Sequence, residues 1–476
     1  MVYVALRTRW LRFAVTLCTS GVVGCASSHD VASSSDDEVE DSRARGAGQA
    51  SAGSSRLATG PAQPASGRNP SEYVFSQDAV RHYDVEVDAA QWADLKEHAY
   101  LEQYISARVK FEGETYGPIG IRFKGFRGSL YNCFDFDESG TAVKRTCDRM
   151  SIKLSFDEYY EDGRFFGLKK LNFHAMRNDA SLLRDRISYF LFRAFGVPAP
   201  RAVHATLSIN GEDEGLFSLV EQPDGRFARN AFADGGEGNI YKERWPTTST
   251  DREYFASGLE SNRDVADVSA MQAFAEALST ATDANIESVL REHTDFDALL
   301  RYLAVDRAIN HWDGPLAFRC RPESEVPPLP PEVEAAQRPA LGWEVCQNKN
   351  YYWYEETGTG RLRLVPWDMD VTWSSFSQFP DWNTAPRVCG VQQQGRPPRC
   401  DKLINWLATT LREHYLAAGF ELLAGPLRAD VLGMLANRWY AQIAPYTNGR
   451  DTVLGALLLN REMDNRIRAF AAEVTQ

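Results

Sequence analysis

The region that follows residue 70 carries runs of strand length in which residues are apolar or alternate between apolar and polar. Such runs are found at residues 82–87, 105–111, 151–156, 205–210, 215–221 and 361–365. The pair Asn210-Gly211 separates two of these runs and is a strong hairpin signal, because both residues tolerate a positive φ. The pattern predicts a β-rich N-lobe over residues 71–225.

Helical spacing of apolar residues dominates the chain after residue 226. It is found at residues 268–281, 286–292, 295–310, 401–424, 427–443 and 453–474. Two helices are predicted within the N-lobe. Asp88 can cap a helix that starts at Ala89, and in the second helix Asp179 has the position of an N-cap and Gly196-Val197-Pro198 the composition of a helix end. A helical C-lobe over residues 226–476, placed after a β-rich lobe, predicts an α+β fold with a cleft between the lobes.

Residues 1–25 have the order of a secretory signal. An arginine-containing segment precedes an apolar stretch that closes on Val22-Val23-Gly24-Cys25. That ending resembles the lipobox of bacterial lipoproteins, which implies cleavage before Cys25 and a lipid on its thiol. An ordinary signal peptide with an incidental cysteine is the alternative. Because Ala26 is similar to outer-membrane sorting signals, we expect an exported lipoprotein at the outer membrane or the cell surface, held by its N-terminal lipid anchor.

Residues 26–70 consist mainly of Ser, Ala, Gly and acidic residues, which cannot form a core, and we expect a disordered linker there. The whole chain has 52 Lys and Arg against 65 Asp and Glu, so its formal net charge is -13. Nucleic-acid binding requires a basic stripe on the protein, and none is visible in this sequence. We therefore expect no nucleic-acid partner.

Six cysteines remain after the signal and the lipid attachment site are set aside. They form three close sequential pairs, which are Cys133 with Cys147, Cys320 with Cys346, and Cys389 with Cys400. Each pair brackets a polar, acidic or Pro-rich stretch, so we predict a disulfide within each pair, although six cysteines permit fifteen connectivities. A zinc site is the alternative, but no CxxC or HExxH spacing supports it.

Three aspartates lie inside apolar, aromatic-rich sequence. Asp313 belongs to the run NHWDG at 310–314, and Asp368 and Asp370 belong to the run VPWDMD at 365–370. An ionised carboxylate that is withdrawn from water costs several kcal/mol unless it is paired, hydrogen-bonded or bound to a cation. The three together indicate a metal ion or a charged substrate, and turn or capping roles are the alternative. We interpret His311 as a structural hydrogen-bonding group.

Residues 120–129 (GIRFKGFRGS) predict a strand that runs into a Gly- and Ser-containing turn. The backbone N–H groups and flanking cations of such a turn can bind phosphate, although Gly-rich hairpin turns are common and the chain has no Walker A or GxGxxG pattern. Lys124 belongs to this stretch. Lys153 lies in the next apolar strand, where a lysine can also simply extend to the solvent at a sheet edge.

A series of short motifs follows this turn through the chain. They are GIRFKG at 120–125, KLNF at 170–173, SLLR at 181–184, NG at 210–211, GLF at 215–217, LVEQ at 219–222, NHWD at 310–313, NYY at 350–352 and PWDMD at 366–370. In this order they resemble the spore-coat-protein-H-like (CotH) kinases, over about residues 75–470. The resemblance implies a two-lobed, atypical protein-kinase-like fold and ATP-dependent phosphorylation of protein Ser or Thr.

The resemblance also implies roles for individual residues. Lys153, or in second place Lys124, would pair with the nucleotide phosphates. Glu221-Gln222 would lie at the hinge between the lobes, near the adenine. Asp313 would be the catalytic-loop aspartate, and Asp368 would be the aspartate that binds the metal.

The metal would be Mg²⁺ or Mn²⁺, since phosphoryl transfer needs charge stabilisation and magnesium takes few carboxylates together with waters and phosphate oxygens. Asp368 and Asp370 would point to one side if strand geometry persists past Pro366, so that Asp370 supports the first ion or binds a second. Asn350 lies just before an aromatic strand. It is predicted to be a further oxygen ligand of the metal, and a turn residue without a ligand role is the alternative.

Some features leave other interpretations open. The Pro-rich segment between Cys320 and Cys346 looks like a disulfide-closed insertion between Asp313 and Asp368. Glu221 could instead be a core-facing acid paired with Arg226. ATP is scarce outside the inner membrane, so a catalytically inactive structural, assembly or adhesion protein of the envelope is the alternative to a kinase that acts on an envelope or surface protein. Transfer of AMP or another group is a further alternative.

Overall fold

The computed structural model of the chain describes residues 69–125, 130, 133–137, 142–318, 348–374, 382, 384–389, 396–447 and 452–475. The predicted signal peptide, Cys25 and nearly all of the predicted linker lie outside these residues. The predicted disulfide between Cys320 and Cys346 also lies outside them, as do residues 126–129 of the predicted phosphate-binding turn. Among the helices of the described ranges, none combines the length and the apolar character needed to cross a membrane.

The N-terminal part of the described chain is built on a closed β-barrel. Its strands and those of a neighbouring hairpin are β1 (Arg81–Val87), β2 (Ile105–Phe111), β3 (Glu114–Lys124), β4 (Phe134–Phe136), β5 (Ala142–Arg145), β6 (Ser151–Ser155), β7 (Lys170–His174), β8 (Ala202–Ile209) and β9 (Glu212–Val220). Around the barrel the order is β1-β2-β3-β6-β7-β9-β8, and β4 pairs with β5 separately. The barrel closes through β1 and β8, which run parallel, whereas its other neighbouring strands are antiparallel.

The two faces of the barrel strands differ in polarity, because successive residues of a strand point to opposite sides. The apolar positions fill the barrel and include Tyr83, Val109, Ile121, Phe123, Ile152, Leu171 and Phe173. The alternate positions of β3, β6 and β7 are polar and include Arg122, Lys124, Lys153, Asn172 and His174. The register aligns Arg122 with Lys153 and Lys153 with Asn172, so these polar residues share the outer face of the barrel.

Helices dominate the rest of the described chain. The helices are α1 (Ser71–Val74), α2 (Ala89–Glu97), α3 (Arg184–Ala194), α4 (Gly225–Ala231), α5 (Arg252–Ala256), α6 (Ser269–Thr280), α7 (Ile286–His293), α8 (Phe296–Ala308), α9 (Lys402–Ala408), α10 (Arg412–Ala424), α11 (Ala429–Ile443) and α12 (Thr452–Val474). Short 3₁₀ helices occupy Ala99–Leu101, Pro398–Cys400 and Ala444–Tyr446. A small antiparallel sheet, β10 (Ile240–Lys242), β11 (Tyr351–Glu355) and β12 (Leu362–Pro366), packs into the same apolar core as α6 to α12.

Helix α3 joins the barrel to this helical core. Its apolar residues Ile187, Leu191 and Phe192 belong to the same buried cluster as the helices of the second half of the chain. The prediction that Asp179 is the N-cap of this helix is wrong, since the helix begins at Arg184. The Asp179 carboxylate instead accepts a hydrogen bond of 2.7 Å from the Arg184 amide, across intervening residues that are not helical.

The α+β fold class predicted from the sequence is confirmed. The strands predicted at 82–87, 105–111 and 205–210 are present, as is the hairpin around Asn210. The disulfides predicted between Cys133 and Cys147 and between Cys389 and Cys400 are formed. The helix predicted over 401–424 is divided into α9 and α10, and the three-residue strand β10 is too short to leave a periodic signal in the sequence.

Candidate active site

Three loops meet where the helical core faces the barrel. The loop after α8 carries Asp313, the residue before β11 is Asn350, and the loop after β12 carries Asp368. Because β11 and β12 are antiparallel neighbours, Trp367 can donate its amide hydrogen to the Asn350 carbonyl at 3.1 Å. The Asn350 side-chain amide donates to the backbone carbonyl of Asp313 at 3.0 Å and to its Oδ2 at 3.1 Å. The structure thus brings these three sequence-predicted residues together.

The backbone of Asp368 is held from both sides. Its amide donates to the Tyr189 hydroxyl of α3 at 3.0 Å, and its carbonyl accepts a hydrogen bond of 3.2 Å from His311 Nε2. The other ring nitrogen of His311 lies 3.0 Å from Asp306 Oδ1. Burial alone would lower the pKa of His311, but the hydrogen bond and charge of Asp306 outweigh it and raise that pKa. His311 therefore acts as a structural bridge between Asp306 and the loop of Asp368, in agreement with its sequence-based interpretation.

Three polar side chains, linked by hydrogen bonds, extend from the barrel to α3. Lys124 Nζ of β3 lies 3.1 Å from His174 Nε2 of β7, and His174 Nδ1 lies 3.2 Å from Asp185 Oδ2 of α3. Lys124 also lies over the Trp367 ring, 5.1 Å from its centroid. The charge of Lys124 acts on Asp368, so these hydrogen-bonded side chains lie beside the three loops.

The carboxylates of the last loop repel one another. Burial raises the pKa of Asp368, and Asp185 and Asp313 add to that effect, while His174 and Lys124 oppose it. Burial and the charges of Asp368 and Asp185 raise the pKa of Asp370 well above its usual range. A divalent cation would relieve this repulsion, because it favours the ionised form of both carboxylates.

The donor set at these loops fits magnesium or manganese. Asp368 and Asp370 supply carboxylate oxygens, and the amide oxygen of Asn350 takes no part in its hydrogen bonds to Asp313. Within the part of the chain that the structure describes, no three His, Cys, Asp or Glu side chains form a metal cluster by themselves. Magnesium beside a nucleotide takes only one or two carboxylates and completes its shell with phosphate oxygens and waters.

The geometry expected for Asp370 is wrong in one respect. Strand β12 ends at Pro366, and Asp368 has a positive φ of 53°, so strand alternation does not persist through the loop. Asp370 instead lies in a turn, where its Oδ2 accepts a hydrogen bond of 3.1 Å from Asn178. Its backbone carbonyl accepts a hydrogen bond of 3.2 Å from Arg184. The two carboxylates are close because a turn, rather than a strand, connects them.

The other predicted nucleotide residues lie farther along the polar face of the barrel. Lys153 is fully buried at the middle of β6, opposite Asn172 of β7. Asn172 donates a hydrogen bond of 3.0 Å to the side-chain oxygen of Gln222. The Oδ1 atom of Asn172 is buried and has no hydrogen-bond partner among the described residues, so this stretch has an acceptor to offer to a ligand.

Glu221 is engaged elsewhere. Its carboxylate accepts hydrogen bonds from the Arg201 side chain, including one from Nε at 2.8 Å, and one from the Arg201 amide at 3.1 Å. The alternative of a core-facing acid is therefore the one the structure shows, but with Arg201 as the partner. The suggested partner Arg226 is wrong. Arg201 and Glu221 lie next to each other at the paired ends of the antiparallel strands β8 and β9, where the Glu221 amide donates to the Arg201 carbonyl at 2.9 Å.

Sequence reasoning missed two residues of the site, His174 and Asp185. His174 ends a strand whose neighbours are apolar, and Asp185 is one of several charged residues in the first turn of α3. A lone histidine in a strand gives no catalytic signal. The usable signal was spacing, since His174 is two residues beyond Asn172 and therefore lies on the same face of β7.

A model of the CotH kinase protein family matches residues 121–476, about three quarters of the chain. The chain belongs to the CotH kinase family. The match confirms the resemblance inferred from the motifs and, with it, the kinase-like fold of this chain.

Two relatives of this chain come from Bacillus subtilis (strain 168). Inner spore coat protein H is 25% identical over 242 residues, which are 48% of this chain and 56% of that protein. Inner spore coat protein H-like protein is 32% identical over 102 residues, 21% of this chain and 33% of that protein. The chain thus spans about half the length of the first relative and a third of the second.

A solved structure titled "Shewanella oneidensis MR-1 Toxin Antitoxin System HipA, HipB and its operator DNA complex" contains a protein that aligns with 68% of this chain. The alignment covers 65% of that protein, with a TM-score of 0.33 and 11% sequence identity.

Proposed function

We propose that this member of the CotH kinase family is an exported, membrane-tethered enzyme that transfers the γ-phosphate of ATP to Ser or Thr side chains of an envelope or surface protein. One observation carries the proposal. Asn350, His311 and Tyr189 hold Asp313 and Asp368 in one place, and the ammonium group of Lys124 acts on Asp368 from the barrel side. Family membership supports a kinase-like protein.

Asp313 would act on the acceptor. The hydroxyl of a Ser or Thr substrate would donate a hydrogen bond to its carboxylate, which orients the hydroxyl oxygen and accepts its proton as that oxygen bonds to the γ-phosphorus. The bond between this phosphorus and the bridging oxygen of ADP breaks in the same displacement. Asn350 supports the role, because its two hydrogen bonds fix both the backbone and the carboxylate of Asp313.

Asp368, Asp370 and the amide oxygen of Asn350 would hold Mg²⁺ or Mn²⁺. When bound, the cation supplies positive charge that stabilises the phosphate oxygens during transfer. The raised pKa values of Asp368 and Asp370 support this assignment, since both carboxylates lie where an ionised acid is unfavourable without a cation.

Lys124 would contact the phosphates in preference to Lys153. Lys124 is close enough to Asp368 to oppose the rise in its pKa, whereas Lys153 lies one strand farther along the barrel, opposite Asn172 of β7. Lys153, Asn172 and Gln222 lie on the same barrel face and would line the nucleotide farther from the phosphates. Glu221 would stabilise the hinge through Arg201 rather than touch the adenine.

The test is a transfer assay on the purified chain with its disulfides formed, using γ-labelled ATP, Mg²⁺ or Mn²⁺ and a generic protein acceptor. We expect label on protein, a loss of at least about a hundredfold in Asp313→Ala, and a loss of both label and ATP-induced thermal stabilisation in Asp368→Ala. Asp297→Asn is the matched control, because Asp297 is an exposed carboxylate on α8, the helix that leads to Asp313.

Two other results would indicate a different function. If neither label nor an ATP-induced rise in melting temperature appears, the chain is a kinase-like structural or adhesion protein and not an enzyme. If nucleotide binds but no γ-label is transferred, an assay with α-labelled ATP distinguishes transfer of AMP from an inactive nucleotide-binding protein. Full activity in both aspartate variants would falsify the site assignment.

A further inference from the structure

The three hydrogen-bonded side chains of Lys124, His174 and Asp185 are all buried. Lys124 and His174 are each 6% exposed, and Asp185 is 2% exposed. A lysine ammonium can only donate hydrogen bonds, so His174 Nε2, at 3.1 Å from Lys124 Nζ, must accept. The proton of the neutral imidazole is then on Nδ1, which donates to Asp185 Oδ2. Asp185 therefore selects the tautomer of His174 that can hold Lys124.

Asp185 also reaches the loop of the metal-binding aspartates. Its second oxygen, Oδ1, accepts a hydrogen bond of 3.2 Å from the amide of Met369, the residue between Asp368 and Asp370. Burial alone would raise the pKa of Asp185, but the hydrogen bonds from His174 and the Met369 amide lower it, so the carboxylate stays ionised. One carboxylate on α3 thus fixes both a lysine of the barrel and the backbone of the loop.

The Trp367 ring closes this arrangement. The His174 ring meets it edge to face, with 5.6 Å between centroids and an interplanar angle of 89°, and Lys124 lies over the same ring. Lys124 is therefore held by a hydrogen-bond acceptor, which belongs to the ring that Asp185 orients, and by the aromatic face of Trp367.

We propose that His174 and Asp185 are positioning residues for nucleotide phosphates: together they place the Lys124 ammonium at a fixed point beside Asp368, and Asp185 couples that point to the loop 368–370. The inference rests on the proposed function and deepens it. In this arrangement His174 orients Lys124, and Lys124 contacts the phosphates. Helix α3 then sets the distance between the Lys124 ammonium and the carboxylates of the loop 368–370.

The test is a double-mutant cycle on the full chain. His174→Phe keeps a ring against Trp367 and removes both nitrogens. We expect His174→Phe and Lys124→Met each to raise the KM for ATP about tenfold, and the double variant to be no worse than Lys124→Met alone, because the histidine acts only through the lysine. A structural role for His174 would instead give losses that multiply.

His204→Phe is the matched control. His204 is also buried, at 1% exposure, and the register aligns Ser218 with both His174 and His204. It contacts the α3 region through the Leu182 carbonyl and Arg186, but its contacts do not include Lys124. We expect this variant to melt at a lower temperature and to keep the wild-type KM for ATP.

The outcomes separate the two proposals. If wild type neither transfers label nor is stabilised by ATP with Mg²⁺, the proposed function fails. If wild type does either and His174→Phe has the wild-type KM and the wild-type ATP-induced thermal shift, the positioning role is overturned. Should His174→Phe not fold, Asp185→Asn decides. It keeps an oxygen for the Met369 amide but offers no carboxylate to His174 Nδ1, and a wild-type KM in that variant overturns the role equally.

Discussion

The backbone of Asp368 adopts a left-handed conformation, with a φ of 53°. For a residue other than glycine this costs on the order of 1 kcal/mol, and it persists only where surrounding contacts impose it. Here the Tyr189 hydroxyl, the His311 imidazole and, through the next residue, the Asp185 carboxylate hold the peptide groups on either side. The strain fixes the direction in which the Asp368 carboxylate leaves the loop.

Replacing Asp370 by asparagine should stabilise the metal-free protein. The charge of Asp370 is unfavourable beside Asp368 and Asp185, and asparagine can still bond to Asn178. We expect an increase of about 1 kcal/mol in the free energy of unfolding, with lower transfer activity, since sites often trade stability for function. Chemical unfolding in the absence of divalent cations measures the change in the free energy of unfolding. Asp297→Asn, on exposed α8 surface, should change nothing, and a less stable Asp370→Asn protein would contradict the argument.

His204 should make the fold acid-sensitive. Burial, assisted by Arg186, lowers its pKa to about 3, whereas an unfolded chain has a histidine pKa of about 6.5. Below pH ~6.5 the unfolded state therefore binds a proton that the folded state does not, so stability from this residue is lost as the pH falls, by up to about 1.4 kcal/mol per pH unit. Above pH ~6.5 the residue adds no pH dependence.

The measurement is the free energy of unfolding between pH 4 and pH 7, compared for wild type and His204→Gln. The variant should have the shallower slope, although it is less stable at pH 7 because it loses its bond to the Leu182 carbonyl. His98→Gln is the control, since His98 lies on the surface and is hydrated in both states. Equal slopes in wild type and His204→Gln would show that burial of His204 does not drive acid unfolding.

Residues of the site differed in how far the sequence could reveal them. Asp313, Asp368 and Asn350 could be found because acids and amides inside aromatic runs are unusual. His174 and Asp185 could not, because each becomes meaningful only when β7 and α3 are brought together. Glu221 was placed near the right strand end, but its partner depended on a register that no local pattern encodes.

The turn that follows α8 is built with no room for a side chain at Gly314. A Cβ there would lie 2.4 Å from His311 Nδ1 and 2.9 Å from Asp306 Oδ1. Gly314→Ala should therefore push the imidazole away from the Asp368 carbonyl and lower transfer about tenfold, with ATP binding less affected, as steady-state kinetics would show. The matched control is Gly433→Ala in α11, where a Cβ meets only Asn460 at 3.5 Å and should not affect activity. Equal activity in both variants would mean that the hydrogen bond from His311 to the Asp368 carbonyl does not affect transfer.

Elements were predicted best where one face is buried. Alternation located β1 and β2, and helical spacing located α6, α7, α8, α11 and α12 to within a few residues. The start of α3 was misplaced because a turn that contains Leu182, at a φ of 61°, separates Asp179 from the first residue of the helix, although the Asp179 carboxylate accepts a hydrogen bond from the Arg184 amide. Closure of the barrel was not predicted, since it depends on pairing between β1 and β8, which are far apart in sequence.

At the scale of the whole molecule, the family match and the fold have different boundaries. The match begins at residue 121, inside β3, whereas the barrel also needs β1 and β2. A chain that starts at residue 121 would leave β8 without its neighbour β1 and the remainder of β3 without its neighbour β2. We expect it to be insoluble or to lack nucleotide-induced stabilisation, while a chain that starts at residue 69 behaves as the full chain does. Size-exclusion chromatography and thermal melts compare the two, and a monomeric, ATP-stabilised short chain would contradict this.

The parallel pair that closes the barrel also sets an order of events during folding. Strand β1 leaves the ribosome about 120 residues before its partner β8, with Arg81 aligned to Ala205. Until then one edge of β1 exposes unpaired backbone groups, which invites association with other chains. Pairings so distant in sequence form slowly. The polar face that carries Lys124 can therefore be completed only after most of the barrel has been synthesised, and a newly made chain passes through a period in which it depends on protection from aggregation.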